Sequence, residues 1–227
     1  ELELDPGAAY AHFTSNNTIM GTQFQQYPDS GDVPLVADMS SDILWRPIDV
    51  SKFGLIYAGA QKNLGPAGVT ILILRKDLAE RSPSSIPKIF RYKTILDGDS
   101  LQNTIPTFAV YMVRNVLRWV RDQGGAPAME KRNRTKAGAI YGMIDENPDF
   151  FHCPVEVESR SMMNPVFRLP TEDLEKKLIA EAAEVGMVGI KGHRSVGGIR
   201  TSIYNAMEPS NVQKFVDFAK AFAKKNG

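Results

Sequence analysis

Gly54-Leu55-Ile56-Tyr57-Ala58-Gly59 and Gly68-Val69-Thr70-Ile71-Leu72-Ile73-Leu74, joined by a turn that holds Lys62, are the stretch that decides the fold. Both runs are apolar without polar alternation and are bounded by Gly and Pro. They read as strands of a sheet covered on both faces. Upstream, Pro34-Leu35-Val36-Ala37-Asp38 is a third such run and ends in a carboxylate. The expected architecture is α/β with a mostly parallel sheet.

Working outward, residues 75–81 read as a short surface helix. Residues 106–123 read as a long one, with Pro106 at its first position and Phe108, Met112, Val116 and Trp119 forming one apolar stripe. Gly124-Gly125 ends it. A more polar helix follows over 127–145, with Met129, Ala137, Ile140 and Ile144 as its weak apolar side. Past Asn147-Pro148 come a strand over 164–169, a helix capped by Thr171 and running to Gly186, strands over 187–190 and 199–203, and a last helix over 211–225. This pattern divides the chain into a large-domain part over 1–125, a connecting helix over 126–149 and a small α/β domain over 150–227.

The bulk properties set limits. Of 227 residues, 43% are hydrophobic and 23% charged, the composition of a globular protein with a sizeable core. A net charge of +1 gives no reason to expect nucleic acid or an acidic membrane surface as partner. No apolar run approaches the ~20 residues a membrane span needs. One cysteine, Cys153, leaves no internal disulfide and suits a reducing cytoplasm. The chain opens on Glu1 without a signal pattern and without Met, which suggests an N-terminus that is cut or missing.

Three elements carry chemistry. Lys62 stands just beyond a strand among small residues, where poor hydration favours the free amine and leaves room for a flat ring. A lysine in a loop is more often a solvated charge. Asp38 closes its strand at the end where open α/β sheets gather ligands, and a protonated pyridine nitrogen would satisfy it. A turn cap over Ser40-Ser41 would satisfy it equally. Lys191-Gly192-His193-Arg194-Ser195-Val196-Gly197-Gly198-Ile199-Arg200 combines two guanidinium groups and an imidazole around a Gly-Gly turn, which reads as an anion site or as a solvated hairpin. Together, amine, carboxylate and anion site suit pyridoxal 5'-phosphate (PLP) acting on an acidic substrate.

These residues, with Asn16-Asn17-Thr18-Ile19, Val36-Ala37-Asp38-Met39-Ser40-Ser41 and residues 99–108, resemble the phosphoserine aminotransferase family of class V, fold-type I PLP enzymes. The likeness runs in order over essentially the whole chain. It implies a homodimer that moves an amino group between L-glutamate and 3-phosphohydroxypyruvate, giving O-phospho-L-serine in serine biosynthesis. It also implies a relation to 4-phosphohydroxy-threonine in pyridoxine biosynthesis. By that resemblance Lys62 forms the Schiff base and Asp38 pairs with the ring nitrogen. Thr18 bonds the ring hydroxyl and Gln61 the cofactor phosphate, while Asn103 and Thr104 reach the phosphate in the neighbouring subunit. His193 and Arg194 hold the substrate's distal anion, and Arg200 holds the α-carboxylate. Members of the family begin well upstream of Glu1, so this chain is expected to be the C-terminal two-thirds. The missing part would carry a Gly-Ala turn, a stacking aromatic and a His-Arg pair. Another class V enzyme, such as a cysteine desulfurase, is disfavoured because Cys153 lies in no flexible loop. A non-catalytic dimerisation module would have no need of the three intact elements.

Overall fold

The structure is a computed structural model and describes residues 3–227. Its elements run β1 (Ala11–Thr14), β2 (Asn16–Asn17), β3 (Thr22–Gln23), β4 (Leu35–Asp38), β5 (Leu55–Gly59), β6 (Thr70–Leu74), α1 (Lys76–Glu80), α2 (Tyr92–Asp97), α3 (Thr107–Asp122), α4 (Gly125–Glu146), β7 (Val166–Phe167), α5 (Glu172–Glu184), β8 (Ile199–Arg200) and α6 (Pro209–Asn226). They fall into two compact units. The first takes the chain up to Thr14, Pro28–Ile43 and Ile48–Trp119, and the second takes Ser15–Tyr27, Leu44–Pro47 and Val120–Gly227.

In the first unit a four-stranded sheet is ordered β1-β4-β5-β6. β1, β4 and β5 are parallel, and β6 turns back antiparallel along β5. Leu35 and Ala37 of β4 and Leu55, Ile56 and Ala58 of β5 are buried, so the two central strands carry the apolar core. β6 departs from the expected full burial. It lies at one edge of the sheet with no strand beyond it among the described residues, and Leu72 and Ile73 remain exposed.

α3 has the expected extent, but its buried face is not the expected one. Ala109, Val113 and Val120 are buried, whereas Phe108 is 72% exposed. The inward face sits one residue further along the helix, which a 3.6-residue period allows when two apolar stripes run side by side. Gly65, at φ +155, explains part of this choice. A Cβ there would stand 3.2 Å from Val113 Cγ2 and 3.4 Å from its backbone nitrogen, so the turn after β5 packs directly on the helix.

The second unit is largely helical and holds two short β pairs, β2–β3 and β7–β8. α4 packs on α6, and Ile140, Ile144, Phe151, Phe167, Leu178, Val212 and Phe215 belong to one buried cluster. Phe151 meets Phe167 edge to face with ring centroids 5.5 Å apart. Thr171 caps α5 by accepting from Leu174 N at 3.2 Å. The expected strands at 164–169 and 199–203 shorten to β7 and β8, which pair Val166 with Arg200 and Phe167 with Ile199. Residues 187–190 form no strand. Gly186 (φ +82) and Gly189 (φ +79) lie in the left-handed region and break the extended run, leaving an isolated bridge of Lys191 to Ile199.

Lys136 is the unusual core residue of this unit. It is 1% exposed, and its ammonium donates to the carbonyls of Ile203 (2.7 Å) and Tyr204 (2.6 Å). Burial first, and Arg132 second, pull its pKa down to about 7, well below the 10.5 of a solvated lysine. Between those values the unfolded chain holds a proton that the folded chain has lost, so stability rises as pH climbs through that window. Below about 7 both states are protonated and the dependence vanishes. Urea unfolding of the full-length protein at about pH 6.5 and about pH 9 should show this gain, and Lys136→Met should remove it. An unchanged pH slope in the variant would contradict this assignment.

Candidate active site

β4 and β5 are parallel neighbours, and each delivers one reactive group at its carboxyl end. Asp38 is the last residue of β4 and lies beside Tyr57 in the register. Its Oδ1 accepts from Ser40 N at 2.8 Å, so it also makes the turn cap that the sequence allowed. Ser40 Oγ in turn accepts from Gly59 N at 3.0 Å and ties the two strand ends together. Beyond Gly59 the chain makes a single helical turn, with Leu64 N and Gly65 N both donating to Ala60 O at 3.1 and 2.8 Å. Lys62 rides on that turn and is half-buried. Asn63, behind it, is buried and donates to Ile43 O at 3.0 Å, which fixes the turn to the sheet. Gln61 folds back over the strand end. A Cβ on Gly59 would sit 2.8 Å from its Oε1, so Gly59 leaves room for the amide.

Asn103 and Thr104 belong to the same unit but stand exposed in the loop between α2 and α3. Asn103 Nδ2 donates to Thr104 O at 3.1 Å. Thr18, His193, Arg194 and Arg200 belong to the second unit.

The basic segment is a hairpin closed by Gly192 N donating to Gly198 O at 2.8 Å and Arg200 N donating to Ile190 O at 2.8 Å. At its tip Val196 N and Gly197 N donate to His193 O at 2.9 and 2.8 Å. His193 Nδ1 lies 2.7 Å from Ser195 Oγ, which orients the ring, and Arg194 is exposed. Gly192 is required: a Cβ there would lie 1.8 Å from Gly197 O. Arg200 Nε is buried and has no hydrogen-bond partner among the described residues. A buried guanidinium donor left without an acceptor is costly, and an anion would satisfy it.

Thr18 sits at the tip of the β2–β3 hairpin, where Asn17 Oδ1 accepts from Ile19 N (3.1 Å) and Met20 N (3.0 Å). A Cβ on Gly21 would approach Val166 Cγ2 to 2.6 Å, so this hairpin lies tight against β7.

The sequence pattern gave no signal for the residues that brace these two hairpins. Asn164 is fully buried. Its Oδ1 accepts from Asn16 Nδ2 (2.9 Å), and its Nδ2 donates to Ser202 Oγ (3.1 Å) and Tyr204 Oη (3.2 Å). One amide therefore connects the Thr18 hairpin to the segment that follows Arg200. Ser161 completes the set: its hydroxyl bonds Asn16 Oδ1 and accepts from Asn164 N at 2.9 Å. Arg168 holds the basic hairpin from the other side, donating to Val196 O (3.2 Å) while Glu175 Oε1 grips its Nε at 2.6 Å. A buried Asn or a strand-end Arg carries no sequence mark of its own, since its role is set by partners far along the chain.

A family model described as Aminotransferase class-V matches residues 1–215. A phosphoserine aminotransferase of Desulfatibacillum aliphaticivorans is 56% identical over 228 residues, covering 100% of this chain and 63% of that protein. The solved phosphoserine aminotransferase of Bacillus circulans subsp. alkalophilus is 50% identical, with a TM-score of 0.97 over 100% of this chain and 63% of its own. The PLP-bound phosphoserine aminotransferase of Trichomonas vaginalis is 38% identical, with a TM-score of 0.88 over 98% of this chain and 62% of its own. The chain thus spans a little under two thirds of the length of these relatives. With its fold and sequence both matched over almost their whole extent, the chain belongs to the class-V aminotransferase family.

Proposed function

We propose that the protein containing this chain is a phosphoserine aminotransferase. It would use PLP to move an amino group from L-glutamate to 3-phosphohydroxypyruvate, giving O-phospho-L-serine and 2-oxoglutarate. The observation that carries this reading is the placement of Lys62 and Asp38 at the carboxyl ends of two adjacent parallel strands. The donor set fits the cofactor: an amine for its carbonyl carbon, a carboxylate for its ring nitrogen, and a strand end kept narrow by Gly59 and Ala60.

When bound, the cofactor supplies an electron sink for the substrate's α-carbon. Asp38 keeps a proton on the ring nitrogen. Lys62 Nζ removes the α-proton from the amino-acid substrate, and in the reverse half-reaction it delivers one to the α-carbon of the keto acid. Thr18 bonds the ring hydroxyl and Gln61 the phosphate. Arg200 takes the α-carboxylate, a role supported by its unpartnered buried Nε. His193 and Arg194, on the exposed hairpin tip, bind the distal anion. Separate donors of this kind accommodate both a γ-carboxylate and a phosphate. The same pair would accept 4-phosphohydroxy-threonine, which would extend the role to pyridoxine biosynthesis.

The active form in this reading is a homodimer, with Asn103 and Thr104 serving the neighbouring subunit's cofactor phosphate. Exposed apolar residues on the same unit support it, among them Ile89, Phe90, Leu101, Phe108 and Tyr111. The single Cys153 suits a cytoplasmic setting.

Steady-state assay of the full-length protein with glutamate and 3-phosphohydroxypyruvate tests the reading. Arg200→Ala should raise KM for both by about 10- to 100-fold, because each lost charge-assisted hydrogen bond is worth ~1.5–3 kcal/mol. An increase for only one substrate would remove Arg200 from the shared α-carboxylate, and no turnover by the unaltered protein would remove the reading.

A further inference from the structure

Asp38 does not stand alone on its face of the sheet. The parallel register sets His12 beside Val36 and Tyr57 beside Asp38. Val36 and Asp38 are two residues apart on one strand, so all four side chains share a face. His12 Nε2 lies 3.0 Å from the Tyr57 hydroxyl, and the two rings stack with centroids 6.0 Å apart. Tyr57 is also the register neighbour of Asp38, and the carboxylate acts on its hydroxyl.

These contacts fix the direction of each bond. Burial, and after it the Asp38 charge, push the Tyr57 pKa upward, so the phenol keeps its proton, and the charged carboxylate beside it attracts that proton more strongly than a ring nitrogen does. The phenol oxygen then has only lone pairs to offer His12. A bond at 3.0 Å therefore needs the hydrogen on Nε2.

We propose that His12 and Tyr57 are positioning residues for the cofactor. His12 Nε2–H donates to the Tyr57 oxygen, Tyr57 O–H donates to Asp38, and the chain holds the carboxylate turned toward the ring nitrogen. Neither residue touches the reacting atoms. Their effect is to restrict rotation of a carboxylate whose Oδ1 is already engaged by Ser40 N. The inference rests on the PLP reading above, because it names what stands behind the cofactor's carboxylate partner.

The test uses the full-length protein stripped of cofactor, with PLP itself as titrant and equilibrium dialysis as readout. Tyr57→Phe and His12→Leu should each weaken PLP binding roughly tenfold. His12→Gln, whose amide nitrogen reaches the position of Nε2, should restore most of the affinity. Recovery by Gln separates a donor role from ring stacking, which Gln does not replace. Unchanged affinity in both Tyr57→Phe and His12→Leu, or equal loss in His12→Leu and His12→Gln, overturns the proposal. Nitrogen NMR of the histidine-labelled apoprotein gives a second reading that needs neither cofactor nor a stable variant. The His12 ring should carry a hydrogen on Nε2, and a ring with its hydrogen on Nδ1 alone overturns the proposed chain. If the unaltered protein takes up no PLP, the functional reading fails, and the tautomer still decides the hydrogen-bond direction.

Discussion

Lys62→Ala in the full-length protein is expected to lower transamination on the order of 10⁴-fold, the upper end of what one positioned acid–base group supplies. Two roles disappear together. In the proposed mechanism these are the amine that bonds the cofactor and the group that carries the α-proton. Lys62→Arg should be equally inactive, because a guanidinium keeps its positive charge and can act neither as nucleophile nor as base at neutral pH. The fold should survive both changes. Lys62 is half-buried on a turn whose backbone bonds run from Leu64 and Gly65 to Ala60, with Asn63 anchoring it to Ile43. Unfolding midpoints close to that of the unaltered protein, with turnover lost, are the expected pair of results. Turnover of Lys62→Ala within tenfold of the unaltered protein would contradict the assignment.

Gly192→Ala should have the second largest effect, through structure instead of chemistry. The new methyl would lie 1.8 Å from Gly197 O and 2.7 Å from Gly198 O, and both are backbone atoms. No side chain can move aside to relieve this, so the strands of the hairpin must separate. The bonds from Gly192 N to Gly198 O and from Arg200 N to Ile190 O would be lost with the register. The cost should reach the top of the overpacking range, about 3 kcal/mol. Because Arg200, His193 and Arg194 all take their positions from this hairpin, KM for both substrates should rise more than tenfold. Urea unfolding and steady-state kinetics on the full-length protein measure the two effects. A variant with unchanged stability and unchanged KM would show that the hairpin can open without consequence.

The sequence carried the central features of the fold because they are local. The Lys62 turn is framed by two apolar runs, and each run becomes a strand. α3 through α6 are marked by periodic apolar positions, by Gly124 at one boundary and by the Thr171 cap at another. β1 went unread although Ala11-His12-Phe13-Thr14 alternates apolar and polar, because four residues that open on a small alanine give only a weak period. The two-residue strands β7 and β8 fall below any period that a sequence window resolves, and the glycines at 186 and 189 ended the extended run expected over 187–190. Phe108 points outward because a helix with two adjacent apolar stripes does not announce which one its own chain covers. The site divides the same way. Lys62, Asp38 and Arg200 have reactive groups and telling neighbours in sequence. Asn164 and His12 lack such neighbours: one meets its partner Asn16 across 148 residues and the other meets Tyr57 across 45.

Borohydride reduction of the full-length protein loaded with PLP, followed by proteolysis and mass mapping, tests the central assignment most directly. Reduction makes the bond between cofactor and lysine permanent. The account predicts a single pyridoxyl-phosphate adduct on the peptide containing Lys62. An adduct on any other lysine, or none on a protein that turns over glutamate, would contradict it.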